Sequence, residues 1–309
     1  FGREENKRWT LSLYNAIHGT SYDDISAVTI NTIEDVVYMG MKNDLSILVS
    51  EIISLYRTLE LYEQQSSYNP NMPVREFMYA GKLYDKFIHS ARLNRYGKKL
   101  LPLPLPKLVV FYNGTDKKED ECTLSLSDAF KEEIRQNVLH KYSGINEKPD
   151  ESRIQAEVEK IFRDADPDIE VKVTMININH GHNREMLSKC RPLGEYAWFV
   201  AQVRNNQADG STGEDDAQTG IGSAIDRAID EMPEDFEIKK FITTNRAEVK
   251  DMCLTEYNEA EAMNMLRQEE RLETRLLDIK NLMDSTGWTA EKAMDTLKIP
   301  KDQRISLYV

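Results

Sequence analysis

Apolar residues recur at helical spacing at Trp9, Leu11, Leu13, Tyr14 and Ile17, and His18-Gly19 supplies a stop, so the first predicted element is a helix. Three short segments rich in β-branched, aromatic and leucine residues follow: 35–41 (DVVYMGM), 45–49 (LSILV) and 59–65 (LELYEQQ). Their closeness along the chain predicts an antiparallel meander. The turn cluster Asn69-Pro70-Asn71-Met72-Pro73 opens a second helix over about 74–90. A Pro-rich link, LPLPLP, then leads to Lys107–Tyr112 (KLVVFY), a continuous apolar run ended by Asn113-Gly114. Such a run suits a strand covered on both faces.

The order helix, three strands, helix, strand describes an α/β unit. Beyond it, 127–166 is charged and helix-permissive, broken at Ser143-Gly144 and Pro149-Asp150, and reads as an inserted helical pair or a partly mobile excursion. Ile169–Ile178 alternates and returns to strand, and 184–204 reads as helix with Leu187, Tyr196, Phe199 and Val200 on its apolar face. The stretch 205–220 (NNQADGSTGEDDAQTG) has the composition of a flexible linker, and 221–309 reads as helices. The division expected is therefore a core over 1–204, a linker over 205–220 and a helical C-terminal region over 221–309. In that last region Arg267–Lys280 is charged enough to pair with another helix, a second copy of the chain included, and 291–309 forms a short appendage.

Composition narrows the picture. The 309 residues carry 40 Lys plus Arg against 53 Asp plus Glu, a net charge of −13, which argues against indiscriminate coating of DNA while leaving room for a local basic cleft. Hydrophobic residues make up 40% and charged residues 30%, against roughly 45–50% and about 25% in ordinary globular chains. A modest core with well-solvated helices follows. The most apolar stretch, Leu100–Tyr112, is interrupted by Pro102, Pro104 and Pro106 and falls short of the roughly 20 apolar residues that a membrane span needs. The start at Phe1, without an initiator Met or a signal-peptide core, reads as trimmed rather than targeted. Cys122, Cys190 and Cys253 are too few and too far apart for a disulfide framework or a zinc cluster, so a reducing, cytoplasmic setting is expected.

The best candidates for chemistry lie on the strands. Glu63 and Gln65 are two residues apart and project to one face, while Asp44, just before the neighbouring strand, can approach them across a hairpin. Two carboxylates beside an amide suit a hard cation such as Mg²⁺, with Mn²⁺ or another divalent ion as alternatives. The bland reading stands beside it: among 53 acids, those near strand edges are most often simply solvated. Glu60, at an odd offset from Glu63, belongs to the opposite face. His180 and His182 form an H-x-H pair better read as turn residues bonded to backbone than as metal ligands. Lys82, Lys86, Arg92, Arg95, Lys98, Lys99 and Lys107 gather positive charge expected beside the acids, where it would favour a phosphate backbone. Trp9, Tyr14, Trp198 and Phe199 are read as core.

The series Met41-Lys42-Asn43-Asp44-Leu45-Ser46, Leu61-Tyr62-Glu63-Gln64-Gln65-Ser66 and Tyr68-Asn69-Pro70-Asn71-Met72-Pro73 resembles the PD-(D/E)XK nuclease family transposases, or recombination-promoting nucleases. Further matches lie at Gly81–Tyr84, Val110–Gly114, Ile176–Asn179, Gly181–Asn183 and Asn245–Val249, so the resemblance spans most of residues 1–260. It implies a restriction-endonuclease-like αβββαβ core and metal-dependent cleavage of DNA. Asp44 takes the place of the motif aspartate, Glu63 that of the acidic residue, and Gln65 stands where many relatives have lysine. The implied metal is Mg²⁺ held by Asp44 and Glu63, with Lys82, Lys86, Arg92, Arg95, Lys98 and Lys99 facing DNA. A reading from another class is a catalytically inactive, nuclease-like interaction module that binds a protein partner through its acidic helical region.

Overall fold

The structure is a computed structural model that describes residues 1–31, 45–50, 56–142, 150–210 and 217–300, with only the backbone described for 209–210, 217–219, 256–270 and 273. The first helix, α1 (Lys7–His18), ends as the sequence predicts: Gly19 takes a left-handed φ of 64°, a conformation that costs glycine little. Strands β1 (Val28–Ile30), β2 (Leu45–Val49) and β3 (Thr58–Gln65) follow, then α2 (Met72–Ser90), β4 (Leu105–Tyr112) and β5 (Glu121–Ser125). Helices α3 (Leu126–Lys141) and α4 (Glu151–Ala165) form the expected pair, closed on its own apolar contacts among Val138, Ile154 and Val158. Strand β6 (Lys172–Asn177) precedes α5 (Arg184–Lys189), α6 (Arg191–Gly210), α7 (Ala217–Asp230) and α8 (Lys239–Thr244). A 41-residue helix, α9 (Arg246–Thr286), and α10 (Ala290–Thr296) complete the described elements.

The six strands form one mixed sheet in the order β1-β2-β3-β4-β6-β5. β1 pairs antiparallel with β2 and β2 with β3, the pairs β3–β4 and β4–β6 are parallel, and β5 returns antiparallel to β6 along the far edge. The chain is thus α/β, and the apolar run of β4 lies between two parallel neighbours, as its composition requires. One face of the sheet, through Ile47, Tyr62, Val109 and Phe111, packs with Leu13 and Tyr14 of α1 and with Leu187, Leu193 and Ala197 of α5 and α6. The other face, through Leu59 and Leu61, meets Tyr79 and Leu83 of α2.

Two expectations change, and a third lies outside the described residues. The predicted strand at 35–41 falls outside the described residues, and the strand preceding β2 in the described sheet is Val28–Ile30. The predicted linker at 205–220 is helical where described: α6 runs to Gly210 and α7 begins at Ala217. Tertiary contacts outweigh its polar composition, since buried Asn206 donates from Nδ2 to Glu231 Oε2 at 3.2 Å. Accordingly the first compact unit runs through Ala247, and Glu248–Val309 form the second, so the expected boundary near 204–221 moves C-terminally. Within the second unit, Ile279 packs with Ala293, Met294 and Ile299. No helix among the described residues is long and apolar enough to cross a membrane.

Candidate functional site

Glu63 sits near the end of β3 and is 2% exposed. Burying a carboxylate demands compensating charge or hydrogen bonds, and α2 supplies them. Arg75, in its first turn, donates from Nη2 to Glu63 Oε2 at 3.0 Å and shares that nitrogen with the Tyr79 hydroxyl at 3.3 Å. The Arg75 guanidinium also lies 5.9 Å from the centre of the Tyr79 ring. Glu76 is fully buried on the same helix. The Tyr79 hydroxyl registers all three charges. Burial raises its pKa, the bond from Arg75 lowers it, and the charges of Glu63 and Glu76 raise it again.

Gln65 follows Glu63 on the same face, half-buried, and its amide makes no hydrogen bond to any described residue. Asp44 lies outside the described residues. The last described pair of the β2–β3 ladder is Leu45↔Tyr62, one residue short of it. Glu60 occupies the opposite face, as its spacing predicts. It is completely buried, its Oε2 accepts from the Tyr62 hydroxyl at 3.2 Å, and the same oxygen lies 3.2 Å from His18 Nε2. Burial, reinforced by Glu60, pushes the Tyr62 hydroxyl well above its ordinary value near 10.

The cations are not clustered beside Glu63. Lys82 and Lys86 are exposed along α2, and a rise of 1.5 Å per residue puts them about 10 and 16 Å down the helix axis from Arg75. Arg92, Arg95, Lys98 and Lys99 lie beyond its end, all exposed. Lys107 is exposed on β4. His182 is bonded differently from its prediction: its Nδ1 lies 2.6 Å from Asp120 Oδ1, a carboxylate rather than the backbone. No group of three or more His, Cys, Asp or Glu is gathered for a metal among the described residues. Tyr14 and Phe199 are buried as read, whereas Trp9 and Trp198 are half-buried and meet Phe241 and Phe236 edge to face.

Several motif segments quoted for the resemblance meet at the carboxyl ends of β3, β4 and β6. Gln64 Nε2 donates to Asn113 Oδ1 at 2.9 Å, and Asn179 Nδ2 donates to the Gly114 carbonyl at 3.0 Å. Arg204 ties them together, donating to Asn179 Oδ1 at 2.8 Å and to the Asn113 carbonyl. A Cβ on Gly114 would lie 2.5 Å from the Ser66 carbonyl oxygen, so only glycine permits this approach. Arg246, from another such segment, binds Asp226 at 2.8 Å and Asp230 at 2.7 Å.

Sequence reasoning missed Arg75, Glu76 and Tyr79. A signal was present: Met72, Glu76, Tyr79, Leu83 and Phe87 follow helical spacing, and an acid inside an otherwise apolar stripe marks a polar site facing the sheet. Comparisons with protein-family models, with curated proteins and with solved structures found no match.

Proposed function

We propose that the chain is a divalent-metal-dependent DNA endonuclease of the PD-(D/E)XK transposase type that its sequence resembles, with a restriction-endonuclease-like core. The observation that carries the reading is Glu63, an acid buried on a central strand beside Arg75, where burial needs a functional or structural reason. The order α1, β1, β2, β3, α2, β4 is the αβββαβ order such a core requires, which supports the same reading.

In this proposal Asp44 completes the site. On this reading Glu63 and Asp44 would hold a hard cation, since Mg²⁺ takes one or two carboxylates and keeps waters and substrate phosphate as its other ligands. When bound, the cation supplies Lewis acidity toward a phosphoryl oxygen and acidifies water. Arg75 fixes the Glu63 carboxylate by holding one of its oxygens. Gln65 has no titratable proton near neutral pH, so its amide orients water or phosphate and accepts no proton as a base.

The same ion pair favours a second reading. A carboxylate gripped by arginine is also how a purely structural buried salt bridge is built, and the chain is then a catalytically silent module that binds a protein partner through its helical C-terminal region. Nicking of supercoiled plasmid separates the two. The full chain with Mg²⁺ or Mn²⁺ is expected to nick, and Asp44→Asn or Glu63→Gln to bring nicking to background. Nicking that survives both changes rejects the assignment, and a silent wild-type chain leaves the second reading.

A further inference from the structure

From Lys86 to Thr115 the chain carries six Lys or Arg and no Asp or Glu, in a protein whose net charge is −13. The middle of this stretch is an exposed arm between α2 and β4. Its entry is a helix cap of the kind that recurs at Lys298. The Arg92 N–H donates to the His89 carbonyl at 3.1 Å and the Leu93 N–H to the Ile88 carbonyl at 2.9 Å, the double bond that closes a helix around a left-handed residue. That residue is ordinarily glycine, yet here Arg92 adopts φ 53°, so a cation occupies a position where its side chain carries a backbone cost.

The arm then forms an ordered turn. The Gly97 N–H donates to the Asn94 carbonyl at 3.1 Å, and the Tyr96 N–H to Asn94 Oδ1 at 3.0 Å. This turn presents Tyr96 at 89% exposure, and Leu100 nearby is 93% exposed. Arg95, tethered to Asp85 at 2.7 Å, sits 5.8 Å from the centre of the Tyr96 ring. Arg92, Lys98 and Lys99 make no ion pair with any described residue.

We propose that this arm binds single-stranded DNA, with Tyr96 stacking on an exposed base and Arg92, Lys98 and Lys99 meeting the flanking phosphates. The inference rests on the reading of DNA as the substrate and extends it to a strand-specific contact. Arg92, Lys98 and Lys99, which form no ion pair with a described carboxylate, suit a polyanion. A ring held out on a turn between those cations finds a partner only where a base face is uncovered, which duplex DNA denies and a single strand offers. An anionic lipid surface is the less fitting occupant, because the arm presents no amphipathic helix. From Arg75 to Ser90 the helix rises about 22 Å, so the arm lies beyond the far end of α2 from the residue that holds Glu63.

The test uses the full chain without divalent metal, so that cleavage plays no part, and follows anisotropy of labelled oligo(dT) against a duplex of matched length. Tyr96→Ala is expected to weaken single-strand binding about tenfold while leaving its salt dependence unchanged, and Tyr96→Phe to retain it. Lys98→Ala with Lys99→Ala is expected to lower the slope of log affinity against log salt by about 1.4. Unaltered single-strand binding by Tyr96→Ala overturns the proposal. So does equal weakening on duplex, or tighter Tyr96-dependent binding to phosphatidylserine vesicles than to oligo(dT). Because Tyr96 is exposed, its truncation leaves no cavity to unfold the chain. Tyr96-dependent binding in a chain that never nicks sinks the endonuclease reading alone, and nicking without such binding sinks this inference alone.

Discussion

Glu60 and Glu63 leave the same strand three residues apart, yet the two faces of β3 treat them differently. Beneath α1, Glu60 is enclosed by the Tyr62 hydroxyl and His18, whose ring in turn packs 4.4 Å from the centre of Tyr14. Beneath α2, Glu63 meets a permanently charged guanidinium whose side chain is 36% exposed, next to a second buried acid. Burial alone therefore does not mark a functional acid. Glu60 is walled in by aromatic rings, whereas Glu63 is held by a partly exposed cation, which on the endonuclease reading proposed above is the side from which a charged ligand would come.

The largest effect expected from this contrast is on strand cleavage. Glu63→Gln should reduce plasmid nicking about 10³-fold, roughly 4 kcal/mol of barrier, while Glu60→Gln, assayed below its melting temperature, should nick at a rate within a few-fold of wild type. Equal losses from both changes would erase the distinction between the faces.

Stability should show the contrast next. Arg75→Ala takes from Glu63 its observed guanidinium partner; the usual cost of opening a buried pair is about 3–5 kcal/mol, and the partial exposure of Arg75 lets water reduce it to about 2–3 kcal/mol. His18→Ala removes the 3.2 Å contact with Glu60 and the ring packed on Tyr14, and should cost about 1–2 kcal/mol. Urea midpoints for the two variants at neutral pH check the order, and a larger loss from His18→Ala would reverse it.

Much of this arrangement was legible in the sequence, for reasons that differ by element. Period-two alternation assigned Glu60 and Glu63 to opposite faces, and the uninterrupted run of β4 announced its central place. β5 escaped notice because ECTLS is a short edge strand, half polar, with only Leu124 buried. The single helix predicted over 184–204 divides at Cys190, where Pro192 in the next turn was an unread signal. The ion pair from Arg75 to Glu63 was beyond reach, since no local pattern states which turn of α2 lies over which residue of β3. The expected clustering of cations beside the acids failed for a related reason: neighbours along a helix sequence are spread along its axis.

The smallest effect concerns the Tyr62 hydroxyl on the Glu60 face. Tyr62 OH reaches Glu60 at 3.2 Å, long for an O–H···O bond, so Tyr62→Phe should cost about 1 kcal/mol at neutral pH. Its pH dependence is more telling. In the folded chain burial and the Glu60 carboxylate keep the proton on Tyr62 well above pH 10, whereas the unfolded chain releases it near 10. Above that pH the unfolded state binds fewer protons than the folded one, so stability complete below pH 10 declines as pH rises, by at most about 1.4 kcal/mol per pH unit for this group. Tyr14, Tyr79 and Tyr84, also raised mainly by burial, add the same sign. Tyr62→Phe should therefore flatten the fall in urea midpoint between pH 9 and pH 11 without abolishing it. A variant whose alkaline decline matches wild type would show that the Glu60 face does not hold this proton, and the contrast between the two faces would lose its electrostatic half.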